Sequence, residues 1–538
     1  MPERKRQNFL HGAAVLTVSA LIIKILGAVY KIPLYNILDD KGIADFNITY
    51  NIYNVLLMLS TAGLPVAVSR LIAEADALGK TNQVRRIFKV ALTAFVILGS
   101  AGTLVMLIFS TQLAIAAGNV QSAPGIFVMA PAVLLVCILS AYRGWEQGHS
   151  NMIPTSVTQV IEVAVKVIFG LVIAWFLTKS GEPESRVAAG SIVGVPLGTL
   201  AACIYIIIYG RRSRKGVLET GRDVPDSSLS ILKRLFSIGI PIALGAAAMS
   251  IIQLMDSTII THVLQNTLKY TLTETRALYG SYSKLLSLHN LPWFFVTPFT
   301  VSLVPAISAN LAKKNHAQTK YVTEVSLRVM TVISLPMAVG MAALAYPVAN
   351  VLYYGKTMPD SSMQLAILAI ASYFMCMALT MTSILQAMGK EKLSLVSLVT
   401  GGVVKVGVNF LLISIPSINI NGAVISTIIC YLIMTLMNYV FIRKNLREKI
   451  RASNIFLRPA ISAVLMGIAA WAIYSPLSGV MSGGGELTWL PMAAAMCISI
   501  FAGVVVYLVM IIATGAVTLD DIKLIPKGEK IAKFLRIK

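Results

Sequence analysis

The stretch LHGAAVLTVSALIIKILGAVYKIPLYNIL, Leu10 to Leu38, decides the fold class. It is long enough and apolar enough to cross a bilayer as a helix, which needs about 20 residues. It also carries Lys24 and Lys31. Seven residues is about two helical turns, so the two ammonium groups share one face, roughly 10 Å apart along the axis. Gly27 and Ala28 lie between them and leave room beside the charges. A lysine near the centre of a membrane helix costs about 2.5–3.5 kcal/mol on insertion scales. Two on one face make poor lipid contacts. They imply a wet, cationic cavity, and such a cavity selects an anionic cargo.

Working outward, the rest of the chain repeats that apolar pattern. Of its 538 residues, 57% are hydrophobic and 13% charged, where a soluble domain carries about 25% charged residues. The mean hydropathy is +0.78. Hydropathy predicts an all-α integral membrane protein with about fourteen spans. The net charge of +22 invites a nucleic-acid reading, but most basic residues sit in short loops between spans, where topology places them. No nucleic-acid partner is expected. The cysteines, Cys137, Cys203, Cys376, Cys430 and Cys497, all fall in apolar spans without close spacing. They read as small buried residues, neither a disulfide frame nor a metal site. The basic start, Met1 to Phe9, precedes a run too long and too charged for a signal peptide and reads as the flank of a retained first helix.

Loop charge sets the orientation. Arg85 and Arg86, the cluster Arg211 to Lys215, Lys313 and Lys314, and the group Arg443 to Arg451 all lie on one side with both termini. The positive-inside rule makes that side cytoplasmic. The polar connection beginning at Arg211, with Gly216, Gly221 and Pro225, separates two halves. The predicted organisation is a six-helix lobe over 1–210, a linker over 211–232, a second six-helix lobe over 233–442, and two extra helices with a basic tail over 443–538. The lobes echo each other. YRGWEQGHSNMIPTSVTQVIEVAVKV (Tyr142 to Val167) matches ILQAMGKEKLSLVSLVTGGVVKV (Ile384 to Val406): a Gln, a polar turn, then a helix with a deep lysine, Lys166 or Lys405. GLPVAVSRLIAEADALGK (Gly63 to Lys80) echoes LVPAISANLAKKN (Leu303 to Asn315). Each echo falls six spans after its partner. An even offset preserves direction, so the repeat is parallel, with a pseudo-two-fold axis along the membrane normal.

No nucleotide loop, zinc motif or serine elbow is present, so no enzyme is expected. Intramembrane charges are then the functional candidates. Lys284 begins an eighth span, 279–311, whose prolines Pro292, Pro298 and Pro305 predict kinks. It either faces a cavity or snorkels to the outer surface. Glu162 and Lys166, spaced i, i+4, read as a self-paired buried couple. Asp256 and Lys405, the latter with Asn409 on its face, either pair with each other or leave Asp256 to bind a proton or Na⁺. Arg70 and Arg143 sit at cytoplasmic helix ends, where they either guide an anionic head group or simply set topology.

The Tyr142 to Val167 segment resembles the signature of the stage V sporulation protein B and polysaccharide-transporter family. That family lies in the superfamily of MATE exporters, oligosaccharide-lipid flippases and lipid II flippases. The resemblance runs from Phe9 to about Thr514. It implies basic residues in the first helix handling a diphosphate-linked lipid, matched by Lys24 and Lys31 in IKILGAVYK. It implies an acidic residue after that helix, matched by Asp45, and a basic residue before the proline of the eighth helix, matched by Lys284. The first-helix positions are lysines where the best-known members have arginines, so a point charge replaces a bidentate fork. The middle of span two, VLLML, also lacks an arginine seen in some members.

The expected function is a flippase for an undecaprenyl-diphosphate-linked glycan, foremost lipid II, working by alternating access in the bacterial cytoplasmic membrane. It would need no cofactor, drawing on membrane potential, H⁺ or Na⁺, with Asp256 as the sensor. Its partners would be the anionic lipid-linked glycan, the bilayer and proteins of cell-wall synthesis. The alternatives are an exporter of another lipid-linked polysaccharide, a MATE-type antiporter, and a non-transporting scaffold of cell-wall or spore-cortex synthesis.

Overall fold

The computed structural model describes residues 9–61, 63–214, 223–294, 315–354, 358–446, 452–482 and 488–516, with 296, 303, 307, 308, 310 and 311. The elements are helices: α1 (Phe9–Ile37), α2 (Asp40–Thr61), α3 (Leu64–Ala77), α4 (Thr81–Ile108), α5 (Ser110–Ala116), α6 (Ala123–Gly148), α7 (Ile153–Lys179), α8 (Glu184–Arg214), α9 (Ser228–His262), α10 (Leu272–His289), α11 (His316–Ala343), α12 (Ala345–Leu352), α13 (Ser361–Ala387), α14 (Glu391–Ile413), α15 (Asn421–Asn445), α16 (Ala452–Ser482) and α17 (Trp489–Ala513). Helices keep every backbone donor and acceptor paired within the segment, which lipid requires. Among the described residues, thirteen helical segments are long and apolar enough to span a membrane. The expected eighth span starts as α10; its later prolines, Pro298 and Pro305, lie outside the described residues, as do Lys313 and Lys314. This is a multi-pass membrane protein.

Packing divides the chain into two compact units, Met1–Gly280 and Ser281–Lys538. By that division α9 belongs to the first unit, where it packs on α2, α3 and α4. Gly63, just before α3, makes this contact possible. A Cβ on Gly63 would stand 2.0 Å from the Gly239 carbonyl oxygen of α9, so only a glycine fits. The first unit's core joins Leu71, Phe88, Trp145, Ile206 and Leu235, with the Phe88 and Trp145 rings edge-on at 5.0 Å.

The second unit centres on Met375, Met381, Leu385 and Ile442. Its two extra helices, α16 and α17, lie on α11. Ala463, Met466, Tyr507 and Ile511 pack against Leu335 and Val339 there, and the Tyr507 hydroxyl donates to the Val332 carbonyl at 2.7 Å. Four of the cysteines are buried as expected, but Cys497 on α17 is exposed. The surface of a membrane helix faces lipid, which accepts a thiol as readily as a core does.

The internal repeat reaches the backbone. Helix α6 ends with Ser150 in the left-handed region (φ 58°) and α13 ends with Gly389 there (φ 70°). Ser150 N–H donates to the Gln147 carbonyl and Asn151 N–H to that of Glu146. Gly389 N–H and Lys390 N–H make the same pair of bonds to Gln386 and Leu385, all four at 2.9 Å. Both turns are Schellman caps, in which two otherwise orphaned carbonyls are satisfied.

The segment entering α9 closes back on α4, whose preceding residue, Lys80, offers no side-chain cap. Asp223 supplies one. Its carboxylate accepts from the backbone N–H of Asn82 at 3.0 Å and of Gln83 at 2.8 Å, and Asp226 accepts from the Gln83 side chain at 2.9 Å. An anion at a helix N-terminus also meets the positive end of the helix dipole. Desolvation pushes the Asp223 carboxyl up, but the backbone N–H groups of Asn82, Gln83 and Asp223 itself, with the nearby Lys80 charge, outweigh it and hold it below the usual range. A depressed folded value means the cap stabilises above the unfolded value of 3.8 and is lost as pH falls through the folded one. Hydrogen exchange at Asn82 and Gln83 checks this. Asp223→Ala is expected to accelerate both amides at neutral pH, and the unaltered chain to lose that protection only below 3.8.

Candidate functional site: a cationic, tyrosine-lined cluster

The site is assembled by close helix packing in the first unit. Span six contains GSIVGVPLG (Gly190 to Gly198), a glycine at every fourth position and so a smooth stripe on one face of α8. Cβ atoms on Gly194 and Gly198 would stand 2.6 Å and 2.3 Å from the carbonyl oxygens of Lys166 and Glu162. The stripe lets α7 lie directly on α8, as small residues do in membrane helix pairs. Tyr30 of α1 joins the same junction, its buried hydroxyl donating to the Ser191 carbonyl at 3.0 Å. A Cβ on Gly170 would meet the Tyr30 ring at 2.9 Å. These contacts place the charged face of α1 beside that of α7.

Lys24 and Lys31 are both half-buried on α1. A Cβ on Gly27 would meet nothing within 4 Å, so the space expected between them is open within the first unit. The Lys31 ammonium lies 5.9 Å from the Tyr35 ring centroid. Lys166 sits over Tyr30 at 5.2 Å and Tyr50 at 6.0 Å, within electrostatic range of Lys31. Neither Lys31 nor Lys166 has an ion pair within 4 Å among the described residues. Ring faces attract a cation and are worth about 0.5–2 kcal/mol. They hold the lysines in place, and Glu162 lies within electrostatic range of Lys166 without forming an ion pair with it.

The expected Glu162–Lys166 couple is not what forms. Glu162 pairs instead with Arg143 of α6, at 3.0 Å, and Arg143 also donates to Thr158 Oγ1 at 3.0 Å. A guanidinium can bridge both groups at once, whereas an ammonium is a single point. Arg143 is 9% exposed, so it serves the lobe interior, not the helix-end surface expected of it. The cluster therefore sets Lys31, Lys166 and Arg143 against one carboxylate, and that carboxylate is already engaged.

Sequence reading missed the tyrosines. FNITYNIY (Phe46 to Tyr53) places Phe46, Tyr50 and Tyr53 on one face of α2 by i, i+4, i+7 spacing. The Phe46 and Tyr50 rings lie 4.6 Å apart, tilted at 37°. The Tyr50 and Tyr53 hydroxyls are buried and make no hydrogen bond among the described residues. Buried hydroxyls without partners are unusual; Tyr50 lies beside Lys166, and Tyr53 beside the Arg143–Glu162 pair.

Asp45 lies elsewhere and is 2% exposed. Its carboxylate takes a two-pronged contact from Arg276 of α10, 2.9 Å and 2.5 Å, and a third bond from Asn119 at 2.7 Å. It clamps α2 to the start of α10 and is not exposed to a cargo here. Arg276 carried no signal in sequence, since its partner is far along the chain. Thr271 and Glu274 bond reciprocally ahead of it as a capping box, which fixes where α10 begins. Arg70 is on the surface, its side chain 65% exposed and paired with Glu74 at 3.1 Å; Glu74 also binds Arg234 at 2.7 Å. It is not part of the cluster.

In the second unit Lys284 is 2% exposed and does not snorkel. It lies 5.9 Å from the Tyr353 ring, whose hydroxyl donates to the Lys284 carbonyl at 2.9 Å. Lys405 on α14 is half-buried and an electrostatic neighbour of the buried His289. Asn409 is fully buried and accepts from Ser426 at 2.5 Å. Asp256, 6% exposed, belongs to the first unit. By the repeat alignment Arg143, Thr158 and Glu162 correspond to Thr382, Ser397 and Gly401. There, Asn438 donates to Thr382 at 3.1 Å and accepts from Ser397 at 2.5 Å. A neutral network thus occupies in the second unit the place of the charged one in the first. Among the described residues no group of His, Cys, Asp and Glu could hold a metal ion.

A family model described as polysaccharide biosynthesis protein matches residues 9–311. The chain belongs to that family. It is 26% identical to the uncharacterized membrane protein YabM of Bacillus subtilis (strain 168), over 99% of this chain and 97% of the relative. It is 26% identical to the lipid II flippase MurJ of the same organism, over 86% and 88%, and 23% identical to its stage V sporulation protein B, over 97% and 98%. Among solved structures, an inward-facing multidrug resistance MATE family transporter of the MOP superfamily aligns with a TM-score of 0.66 at 15% identity, over 81% of this chain and 98% of that one. The outward-facing form gives 0.58 at 15%, over 82% and 96%. The fold is that of the MATE transporters.

Proposed function

We propose that this chain is a flippase carrying an undecaprenyl-diphosphate-linked glycan, foremost lipid II, from the inner to the outer leaflet of the bacterial cytoplasmic membrane by alternating access. The observation that carries this reading is the cluster of Lys31, Lys166 and Arg143 with its one engaged carboxylate. A diphosphate is the head group such a cluster would retain, because Coulomb attraction strengthens as water is excluded. Lys24 extends the cationic face of α1 within the first unit. The relationship to a lipid II flippase over most of both chains supports the same substrate class. A MATE-type cation exporter is disfavoured by the sign of the site, since a cationic cargo wants free carboxylates.

The chain has no nucleotide loop, so the driving force is electrical or ionic. A membrane potential does about 2.3 kcal/mol of work per elementary charge per 100 mV. With the interior negative, that work pushes an anionic head group outward. Asp256 and Lys405 are the candidates for ion or field sensing.

The test is replacement of a host's own lipid II flippase. The unaltered chain is expected to restore growth after depletion, and the Lys24→Ala, Lys31→Ala double variant, inserted at equal level, to fail. Equal rescue by both would remove the first-helix lysines from the mechanism. No rescue by the unaltered, inserted chain would reject lipid II and leave another lipid-linked glycan or a scaffold role.

A further inference from the structure

A second cationic feature lies apart from the cluster, on α4 and the start of α9. A cleft of about 490 Å³ opens between them, lined near the starts of α4 and α9 by Arg86, Lys89, Ser228 and Leu229 and further along by Thr93, Ile97 and Leu232. Arg86, Lys89, Thr93 and Ile97 recur every three or four residues, so they form one stripe on α4. From Lys89 to Ile97 the helix rises about 12 Å. The charged end therefore sits at head-group depth and the apolar end at acyl depth. Ile97 and Leu229 are 63% and 76% exposed, and nothing in the described chain covers them.

The cations at the rim are uncompensated. Arg86 donates to the Ser228 hydroxyl at 2.6 Å, and neither Arg86 nor Lys89 has an ion pair among the described residues. The nearby acids are occupied. Asp223 accepts from two backbone N–H groups of α4, and Asp226 from Gln83. A groove that is cationic at one end and apolar along its length fits an anionic amphiphile lying parallel to the helices. By the positive-inside rule this is the cytoplasmic leaflet, where anionic lipids meet basic residues.

We propose that the cleft between α4 and α9 is a binding site for an anionic glycerophospholipid, its phosphate held by Arg86 and Lys89 and one acyl chain lying along Ile97, Leu229 and Leu232. The bound lipid bridges α4 to α9 beside the Asp223 cap, tying down the segment that enters α9.

The full-length chain in detergent, titrated with phosphatidylglycerol and with phosphatidylcholine of identical chains and read by native mass spectrometry, tests this. The unaltered chain is expected to prefer phosphatidylglycerol, and Arg86→Gln plus Lys89→Gln to lower that preference about tenfold. Arg443→Gln plus Lys444→Gln removes the same charge from the end of α15 and is expected to change nothing. Ile97→Ser plus Leu229→Ser is expected to weaken both lipids alike. Melting temperatures matched to the unaltered chain separate lost binding from lost folding. Retained preference in the Arg86, Lys89 variant overturns the proposal. So does an equal loss in the Arg443, Lys444 control, which would mean diffuse attraction. Displacement of phosphatidylglycerol by undecaprenyl phosphate in an Arg86- and Lys89-dependent way would overturn it in favour of a groove for the transported lipid.

Discussion

Lys166→Met is expected to abolish rescue of a flippase-depleted host while leaving the protein inserted and at least as heat-stable as before. The two halves of that expectation separate function from architecture. A half-buried ammonium held by ring faces has lost part of its hydration, and an apolar side chain of similar length in its place is often neutral or stabilising. If Lys166 only filled space between Tyr30 and Tyr50, methionine would serve. If it grips a phosphate, its loss removes a charge-assisted hydrogen bond worth about 1.5–3 kcal/mol, or about 10–150-fold in affinity for the head group. Titration of the purified chain with lipid II, beside a thermal melt, reads both quantities. Tyr50→Phe refines the result. Its hydroxyl has no hydrogen-bond partner among the described residues, so the fold should not notice the change, while head-group affinity should fall several-fold. Normal binding and rescue by Lys166→Met would strip this lysine of any role in transport.

Arg276→Ala is expected to destabilise the first unit by about 3–5 kcal/mol, the range for removing one partner of a buried ion pair. Asp45 would be left 2% exposed with one remaining donor, Asn119, for two oxygens. The double variant Asp45→Leu plus Arg276→Met removes both charges and is expected to recover most of the loss, because the penalty belongs to the widowed carboxylate more than to the missing attraction. Melting temperature in detergent measures both. An unchanged melt for Arg276→Ala would show that the pair contributes nothing. A double variant that is stable yet fails in rescue would return Asp45 to the transport cycle as a charge that must separate from Arg276 in another conformation.

These expectations rest on different kinds of information. Hydropathy and helical periodicity are local, so the chain read by itself was enough for the membrane class, for Lys24 and Lys31 on one face, and for the local echo whose turns carry matching caps at Ser150 and Gly389. The glycine stripe Gly190, Gly194, Gly198 and the tyrosine face of α2 were legible in the same local way. They passed unread because small and aromatic residues are ordinary in membrane helices.

Ion pairing is another matter. Glu162 had a lysine one turn away and took an arginine from α6. Asp45 was matched to a cargo and took Arg276, which stands far along the chain. Asp223 looked like linker polarity and became the cap of α4. In each case several partners were chemically acceptable, and the choice fell to which side chain the helix packing brought within 3 Å or so. Sequence determined which charges the membrane must accommodate; only the tertiary structure decided which of them pair directly and which, like Lys31 and Lys166, have no ion pair within 4 Å among the described residues, because helix packing, not spacing along the chain, sets those distances.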